Sequence, residues 1–309
     1  MNEKLFSRTL RLMGNRFVIT VASADSVKAE SLIDDAVAEI QRIESLLTTF
    51  SENSQTNQIN QNAGIQAVKV ESEVFELIVR AKRISELTDG AFDLSYGSLD
   101  KRFWNFDKTM AQLPDAQTAK EKVKLINYKN IILDKTLGTV FLKEKGMRIG
   151  FGGIGKGYAA DKAAQLLRNK GVTSGIVNAS GDLITWGNQP NGNPWTISLA
   201  HPDLPTEAFS KMNISNLAVA TSGNYEKFVM IDGKKYSHTI NPKTGYPISG
   251  IKSVSIICPI AELADALATP VTIMGVEAGL NLINQLNGVE GIIIDDQNHV
   301  YKSDNIKID

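Results

Sequence analysis

GFGGIGKGYAADKAAQLLRNKGVTSGIVNAS, residues 150–180, is the segment that decides between two fold classes. Its glycines match the G-x-G-x-x-G of dinucleotide-binding folds and, with Lys156, the G-x-x-x-x-G-K of a P-loop. A P-loop needs a hydroxyl residue after its lysine to hold the metal, but Gly157 follows here. The dinucleotide motif needs an acidic residue about twenty positions further on, where the predicted strand GIVNA has Asn178. Both motifs are incomplete, so neither establishes a doubly wound parallel sheet.

The glycine-rich turn still suits a phosphate group. Backbone amides of such a turn at the start of a helix can approach a phosphate closely, and Lys156 beside them adds positive charge. The alternative is a tight turn with a solvated lysine. Three glycines within residues 152–155 favour phosphate contact over that alternative.

Helices and strands are predicted on the N-terminal side of this segment. RFVITVAS, Arg16–Ser23, mixes β-branched residues with some alternation and predicts a strand. Apolar residues at spacings of three and four predict a helix around residues 33–47 and another over 72–88, with Gly90 as its C-terminal stop. The polar, amide-rich stretch 51–62 between them is predicted to be a loop.

Short strand candidates follow from residue 130 onward, separated by Gly, Asn and Pro turns: IILD, TVFL, GIVNA, WTISLA, LAVAT and KFVMI. Asp232-Gly233 predicts a tight hairpin after the last of these. Helices are predicted at about 156–170, 261–274 and 276–286. Strands and helices interleave without a strict βαβ rhythm, which predicts an α+β fold, a mixed sheet with packed helices.

Composition limits the classes of function. The 309 residues are 42% hydrophobic and 22% charged, without repeats or long linkers, so residues 1–309 are expected to form one compact domain. A net charge of −1 argues against a nucleic-acid partner. No apolar run approaches the roughly 18 residues of a membrane span, and the first 20 residues lack a signal-peptide core, which leaves the compartment open between cytoplasmic and exported. Cys258, the only cysteine, is expected to be a buried, inert thiol.

A possible metal site lies in ELADALATPVTIMG. Asp265 and Thr269 stand four residues apart, so on a helix their oxygens converge on one face, and a carboxylate with a hydroxyl suits Mg²⁺. The alternative is an ordinary solvated helix face. Pro270 cannot donate to the carbonyl of Ala266, so the helix is expected to kink or end there.

A histidine in a rigid turn is the other notable feature. SHTINPKTGYP, Ser237–Pro247, contains His238, one of only three histidines in the chain. With an unperturbed pKa of about 6.5, an imidazole can act as a general base or hold a phosphate oxygen.

These blocks together resemble the ApbE family of FAD:protein FMN transferases over roughly residues 12–288. The blocks, in the family's order, are LMGNRF, TTFSENSQTNQIN, DGAFDLSYGSL, GGIGKGYAAD, NASGDL, ATSGNYEKF, SHTINPKTGYP and ADALAT. The resemblance implies a T-fold-like α+β architecture, with FAD in a cleft and Mg²⁺ bridging its diphosphate. It implies transfer of the FMN moiety to a Thr or Ser hydroxyl of an acceptor protein, with release of AMP. An FAD pyrophosphatase and a non-catalytic flavin-binding protein are the alternatives.

The resemblance also implies roles for individual residues. His238 is the candidate base, or a donor to a phosphate oxygen, and Asp182 is a second candidate base. The metal would be held by the Gly153 carbonyl and by the side chains of Asp265 and Thr269. The cofactor site would contain Met13, Phe50, Ala91, Phe92, Asp93, Lys156, Ser180, Gly181, Thr221, Ser222, Gly223, His238 and Thr244.

The chain departs from the family pattern at three points. Gly150 stands where members commonly carry Asp, which puts one FAD contact in doubt, and Pro270 stands where a small helix former is usual. No lipobox cysteine lies near the start of the sequence.

Overall fold

The computed structural model describes residues 3–104, 110, 112–200, 208–223, 228–231 and 233–306. Its α-helices are α1 (Ser26–Leu47), α2 (Gln55–Gln61), α3 (Ser72–Leu87), α4 (Ala116–Lys122), α5 (Gly155–Asn169), α6 (Ala261–Met274) and α7 (Val276–Asn284). Its strands are β1 (Lys4–Leu12), β2 (Asn15–Ser23), β3 (Val68–Lys69), β4 (Ile131–Asp134), β5 (Thr139–Leu142), β6 (Gly175–Ala179), β7 (Asp182–Trp186), β8 (Trp195–Ala200), β9 (Ala208–Ile214), β10 (Ala218–Gly223), β11 (Phe228–Ile231), β12 (Lys234–Ser237), β13 (Ile251–Cys258), β14 (Glu290–Asp295) and β15 (Val300–Lys302).

An eight-stranded sheet organises the molecule, in the order β1-β2-β6-β7-β10-β13-β14-β15. Every neighbouring pair in it is antiparallel. The sheet therefore differs from the parallel sheet of a nucleotide-binding doubly wound fold, and the α+β prediction is confirmed. Three smaller sheets accompany it: β3-β5-β4, β8-β9 and β11-β12.

The two faces of the large sheet are covered differently. Helices α1, α5 and α6 contact β2, β6, β7, β10 and β13 and build the main core. On the other face, the β8-β9 ribbon packs Trp195 and Ile197 near Leu183, Val219 and Ile257. Sequence neighbours of those three strand residues, such as Ile184, Ala218 and Ile256, belong to the helical core. This is the two-residue alternation expected of strands that are buried on both faces.

The stretch 51–62, predicted to be a loop, contains helix α2. Ser54 caps its N-terminus, its hydroxyl accepting from the amide of Asn57 at 3.1 Å. The polar side chains of Thr56, Asn57 and Asn60 are buried and bind neighbouring backbone. Asn60 donates to the carbonyl of Ile149 (3.0 Å) and accepts from its amide (2.7 Å). The loop prediction was wrong because these amides serve as internal hydrogen-bonding groups rather than as solvated ones.

Helix α6 does not end at its proline. It continues through Pro270 to Met274 and stops at Gly275, whose φ is 83°. Pro270 removes only the hydrogen bond to the Ala266 carbonyl, while the buried packing around Leu267 keeps the helix intact on both sides. Of the two expected effects of Pro270, the end of the helix is contradicted, and a kink stays a prediction.

The other elements follow the sequence patterns closely. The helix predicted over residues 72–88 is α3, and Gly90 donates to the Ser85 carbonyl at 2.7 Å with a φ of 76°. The predicted hairpin is formed by β11 and β12, with Ile231 opposite Lys234. Asp232 itself lies outside the described residues. None of the helices that the structure describes is both long and apolar enough to span a bilayer.

Candidate active site

A buried lysine between two carboxylates marks the candidate active site. The Nζ atom of Lys156 lies 2.7 Å from Asp182 Oδ2 and 3.4 Å from Asp265 Oδ1. Only 23% of the lysine side chain is exposed, and the two carboxylates are 8% and 7% exposed. The interpretation of Lys156 as a solvated lysine is therefore excluded. Three charges are withdrawn from water here, and the carboxylates outnumber the ammonium.

A tight hairpin positions Asp182 in the cluster. Strands β6 and β7 are joined by Ser180 and Gly181, whose φ values are 56° and 102°. The Asn178 side chain accepts from the Gly181 amide at 2.8 Å, which stabilises the left-handed turn. Asp182 opens β7, and its Oδ1 accepts from the Thr221 amide at 3.3 Å. The carboxylate is thereby held at the end of the sheet that faces α5.

Direct backbone contact between α5 and α6 positions Asp265 in the cluster. The amide of Gly157 donates to Asp265 Oδ2 at 3.0 Å. A Cβ atom on Gly157 would lie 2.1 Å from the Ala261 carbonyl oxygen, so only glycine allows this approach. One of the amides in the first turn of α5 is therefore engaged by Asp265, while Lys156, its neighbour, is directed at the same carboxylate.

The charges in this cluster shift one another's ionisation. Burial raises the pKa of Asp182 to about 6, and the charge of Asp265 adds to the effect while Lys156 opposes it. Burial alone lowers the pKa of Lys156, but the charges of Asp265 and Asp182 outweigh burial and raise it above its ordinary value. Lys156 therefore stays protonated near neutral pH. Of the two groups, Asp182, with its pKa raised to about 6, is the one whose protonation changes near neutral pH.

Asp161 holds the same pair of helices together, and it is not among the site residues predicted from the sequence. From α5 its carboxylate accepts from the amides of Ala261 (3.0 Å) and Glu262 (2.8 Å), the first two residues of α6. Burial raises the pKa of Asp161 to about 6, against the effect of these hydrogen bonds. The signal that points to it is a shared spacing: Asp161 follows Gly157 by four residues, as Asp265 follows Ala261.

Apolar residues predicted to line the flavin cleft approach the glycine-rich turn. Met13 turns the β1-β2 hairpin with a φ of 51°, and its Cε lies 3.6 Å from where a Cβ on Gly155 would be. The Phe92 ring lies equally close to the corresponding position on Gly153. Phe92 is buried in the main core and Met13 is partly buried against it, so contact of either side chain with a flavin stays a prediction.

Two predicted cofactor residues have contrasting surroundings. The side chain of Phe50 is 98% exposed, in the loop after α1. Asp93 is buried, and its carboxylate accepts from the Ser95 amide (2.8 Å), the Ser95 hydroxyl (2.6 Å) and the Tyr128 amide (2.7 Å). Burial nevertheless raises the pKa of Asp93. Ala91 is half-buried. Cofactor contact by these three residues stays a prediction.

The end of β10 runs beside Asp182. Thr221, Ser222 and Gly223 are half-buried and pair with β13. The Thr221 hydroxyl shares a 2.8 Å hydrogen bond with the Ser255 hydroxyl. Thr221 is thus connected to the charged cluster through its amide, while its hydroxyl points to the neighbouring strand.

The segment that carries His238 is anchored on another part of the molecule. His238 directly follows β12 and is exposed. Beyond it, the Ile240 amide donates to the Tyr96 hydroxyl at 3.2 Å, and a Cβ on Gly245 would lie 2.3 Å from the Ala119 carbonyl oxygen. The Thr244 hydroxyl accepts from the Tyr246 amide at 3.2 Å. The rigid turn is confirmed, and the contact of His238 and Thr244 with a cofactor stays a prediction.

Two of the three predicted metal ligands lie on α6, and metal binding by all three stays a prediction. Asp265 is buried on α6, and Thr269 is half-buried one helical turn further on. Within the described parts of the chain, no three His, Cys, Asp or Glu side chains group together as a complete metal site. A Mg²⁺ ion takes few protein oxygens and completes its sphere with water and phosphate. The donor set and the surplus of buried negative charge both fit such an ion.

Comparison with known proteins identifies the family of the chain. A sequence model of the ApbE family matches residues 13–293. An FAD:protein FMN transferase of Klebsiella pneumoniae is 32% identical, over 95% of this chain and 90% of that protein. The solved ApbE protein of Thermotoga maritima is 29% identical, with a TM-score of 0.87 and 97% of each chain covered. The flavinyl transferase ApbE of Pseudomonas stutzeri is 26% identical, with a TM-score of 0.85 over 98% of this chain and 96% of that one. This chain belongs to the ApbE family.

Proposed function

We propose that this chain transfers the FMN moiety of FAD to a threonine or serine hydroxyl of an acceptor protein and releases AMP. The observation that carries the proposal is the Lys156–Asp182–Asp265 cluster in a chain whose relatives are named FAD:protein FMN transferase. A buried ammonium beside hard oxygen ligands suits the diphosphate group of such a substrate.

The reaction exchanges one bond to phosphorus for another. The bond between the FMN phosphorus and the bridging oxygen of the diphosphate breaks, and that oxygen leaves with AMP. The acceptor hydroxyl oxygen forms the new phosphoester bond and gives up its proton. Positioning and charge neutralisation account for most of the catalysis of such a transfer.

Each residue of the site has a role in this scheme. Asp265, Thr269 and the Gly153 carbonyl would hold Mg²⁺, which when bound supplies Lewis-acid neutralisation of phosphate oxygens. Lys156 adds a fixed positive charge to the same region. His238 takes the acceptor proton or donates to a phosphate oxygen, and Asp182 is the second candidate for the proton.

Co-expression with candidate acceptor proteins, followed by mass spectrometry, tests the proposal. An acceptor should gain the mass of FMN less one water on a single threonine or serine. Purified protein incubated with FAD, Mg²⁺ and that acceptor should release one AMP for each acceptor molecule labelled. Asp265→Asn should abolish both products. Asp34→Asn, on the exposed surface of α1, is the matched control and should leave both unchanged.

The other functions are separate outcomes of this experiment. Formation of FMN and AMP without any labelled acceptor would make the chain an FAD pyrophosphatase. Tight FAD binding without either product would make it a flavin-binding protein. Both results would overturn the transfer reaction.

A further inference from the structure

Helices α5 and α6 cap each other's N-terminal amides with aspartates at equivalent positions. Asp265 of α6 accepts from the Gly157 amide in the first turn of α5. Asp161 of α5 accepts from the amides of Ala261 and Glu262 at the start of α6. Each aspartate lies four residues after the point at which the helices touch. The arrangement is reciprocal, with one carboxylate on each side of the crossing.

The crossing itself leaves no room for adjustment. Gly157 meets the Ala261 backbone so closely that an added Cβ would also fall 2.9 Å from Asp265 Cβ. Neither helix N-terminus has a side-chain cap of its own, since Ile154 and Ile260 occupy the N-cap positions. One amide of the first turn of α5 and two of the first turn of α6 are therefore satisfied from the other helix.

The crossing of α5 and α6 also lies next to the contact between Lys156 and Asp265. Lys156 precedes Gly157, and its ammonium contacts Asp265 across the crossing. Any sliding or rotation of α6 on α5 changes the separation between that ammonium and that carboxylate. The other anchor of the α6 N-terminus, the Arg80 to Glu262 pair, leads to α3 and does not set this separation.

We propose that Asp161 is a positioning residue of the active site: by holding the first amides of α6 on α5, it sets the place of Asp265 relative to Lys156. This inference rests on the proposed function for its consequence, the binding of a divalent cation at Asp265. Its geometric part concerns only residues of this chain.

Asp161→Ala and Asp161→Asn test the proposal, with Asp25→Ala as the matched control. Asp25 accepts from the amides of Val27 and Lys28 at the start of α1, so its loss removes the same pair of hydrogen bonds away from the site. The first readout is exchange of the Gly157 amide by NMR without metal. The second is Mn²⁺ affinity measured by electron paramagnetic resonance in the presence of FAD.

In Asp161→Ala the Gly157 amide should exchange at least about tenfold faster, after correction for the change in global stability, because its acceptor has moved. Mn²⁺ affinity should fall by about tenfold or more. Asp161→Asn keeps one acceptor oxygen, so its Gly157 exchange rate and its Mn²⁺ affinity should both be close to those of the wild type. Asp25→Ala should change neither readout, although it also lowers stability.

The outcomes distinguish the inference from the proposed function. If Gly157 exchange in Asp161→Ala matches that in Asp25→Ala, Asp161 has only a structural role and the proposal is overturned. If exchange accelerates as expected but Mn²⁺ binds equally well to wild type and Asp265→Ala, positioning is upheld and the metal assignment alone is wrong.

Discussion

Lys156 is the residue on which the charge balance of the site depends. Its ammonium is the cation that contacts both Asp182 and Asp265, and all three side chains are largely buried. Removing one partner from a buried ionic group costs more than the group contributes to stability, because the remaining charges keep their desolvation penalty. The loss of Lys156 should therefore affect folding as well as activity.

Lys156→Met should lower the free energy of unfolding by about 3 kcal/mol at pH 7. The deficit should shrink at pH 5. Because the pKa of Asp182 is raised to about 6 in the folded protein, above its ordinary value, the folded state takes up a proton as the pH falls through this range. Proton uptake removes one uncompensated charge. Urea unfolding at pH 7 and pH 5 measures the difference.

Lys170→Met, at the C-terminal end of α5, provides the comparison for the loss of stability. Lys170 follows α5 and pairs with Asp35 at the surface, where both side chains are more than a third exposed. Its removal should cost less than about 1 kcal/mol at either pH. Equal losses for the two variants, or a Lys156→Met deficit that does not change with pH, would contradict the account of the cluster.

Single residues were predictable only where a motif contains them. Lys156 and the Asp265 and Thr269 pair stand in recognisable patterns, and the resemblance to a family added Asp182. Their mutual contacts were not predictable, because Lys156 and Asp265 are 109 residues apart in the sequence. Asp161 ends the block GGIGKGYAAD, but its role depends on a crossing of two helices that only the folded chain contains.

At the level of elements, the contact of α5 with α6 is the most sensitive point in the fold. Gly157→Ala should lower the free energy of unfolding by about 3 kcal/mol or more, because the new methyl group meets backbone atoms of Ala261 that cannot move independently. The helices must separate, which also draws Asp265 away from Lys156. Urea unfolding followed by tryptophan fluorescence measures the stability.

Gly152→Ala is the matched control for that measurement. Gly152 lies in the same glycine-rich segment, but no atom lies within 4 Å of an added Cβ. Its substitution should change the unfolding free energy by no more than about 0.5 kcal/mol. A Gly157→Ala protein as stable as the Gly152→Ala protein would mean that α5 and α6 can move apart without cost.

The most regular sequence patterns belong to elements with one polar and one apolar face. Helices α1 and α3 have regular apolar stripes, and β2 alternates. Strand β7 shows no alternation because all five of its residues, Asp182–Trp186, are buried beneath the helices on one side and the β8-β9 ribbon on the other. Helix α2 was missed for a related reason, since its buried face contains the polar residues Thr56, Asn57 and Asn60.

For the whole molecule, the antiparallel sheet is the shared support of the site. Asp182 opens β7, Thr221 lies on β10, and Asp265 projects from the helix that covers β10 and β13. The strand order joins segments that are distant in sequence, such as β2 with β6 and β7 with β10. Periodicity cannot predict such pairings, since it describes the faces of a strand and not its neighbours.

Cys258 reports on the integrity of this sheet. It is fully buried at the end of β13, between β10 and β14, and its thiol donates to the Ile260 carbonyl at 3.1 Å. Burial raises the pKa of the thiol to about 11, so at pH 8 only about one molecule in a thousand carries the reactive thiolate in the folded state. The prediction that this thiol is buried is confirmed.

Reaction with a thiol-specific disulfide reagent should therefore require unfolding. Folded protein at pH 8 should remain unlabelled over the time in which protein in urea reacts completely. At intermediate urea the labelling rate should rise in proportion to the unfolded fraction measured by fluorescence, because the centre of the sheet opens only with the whole fold. Ala24→Cys adds an exposed thiol between β2 and α1 and should react at once without urea. Rapid native labelling of Cys258 would show instead that β13 opens locally, in which case the support of Asp182 and Asp265 would be mobile at its centre.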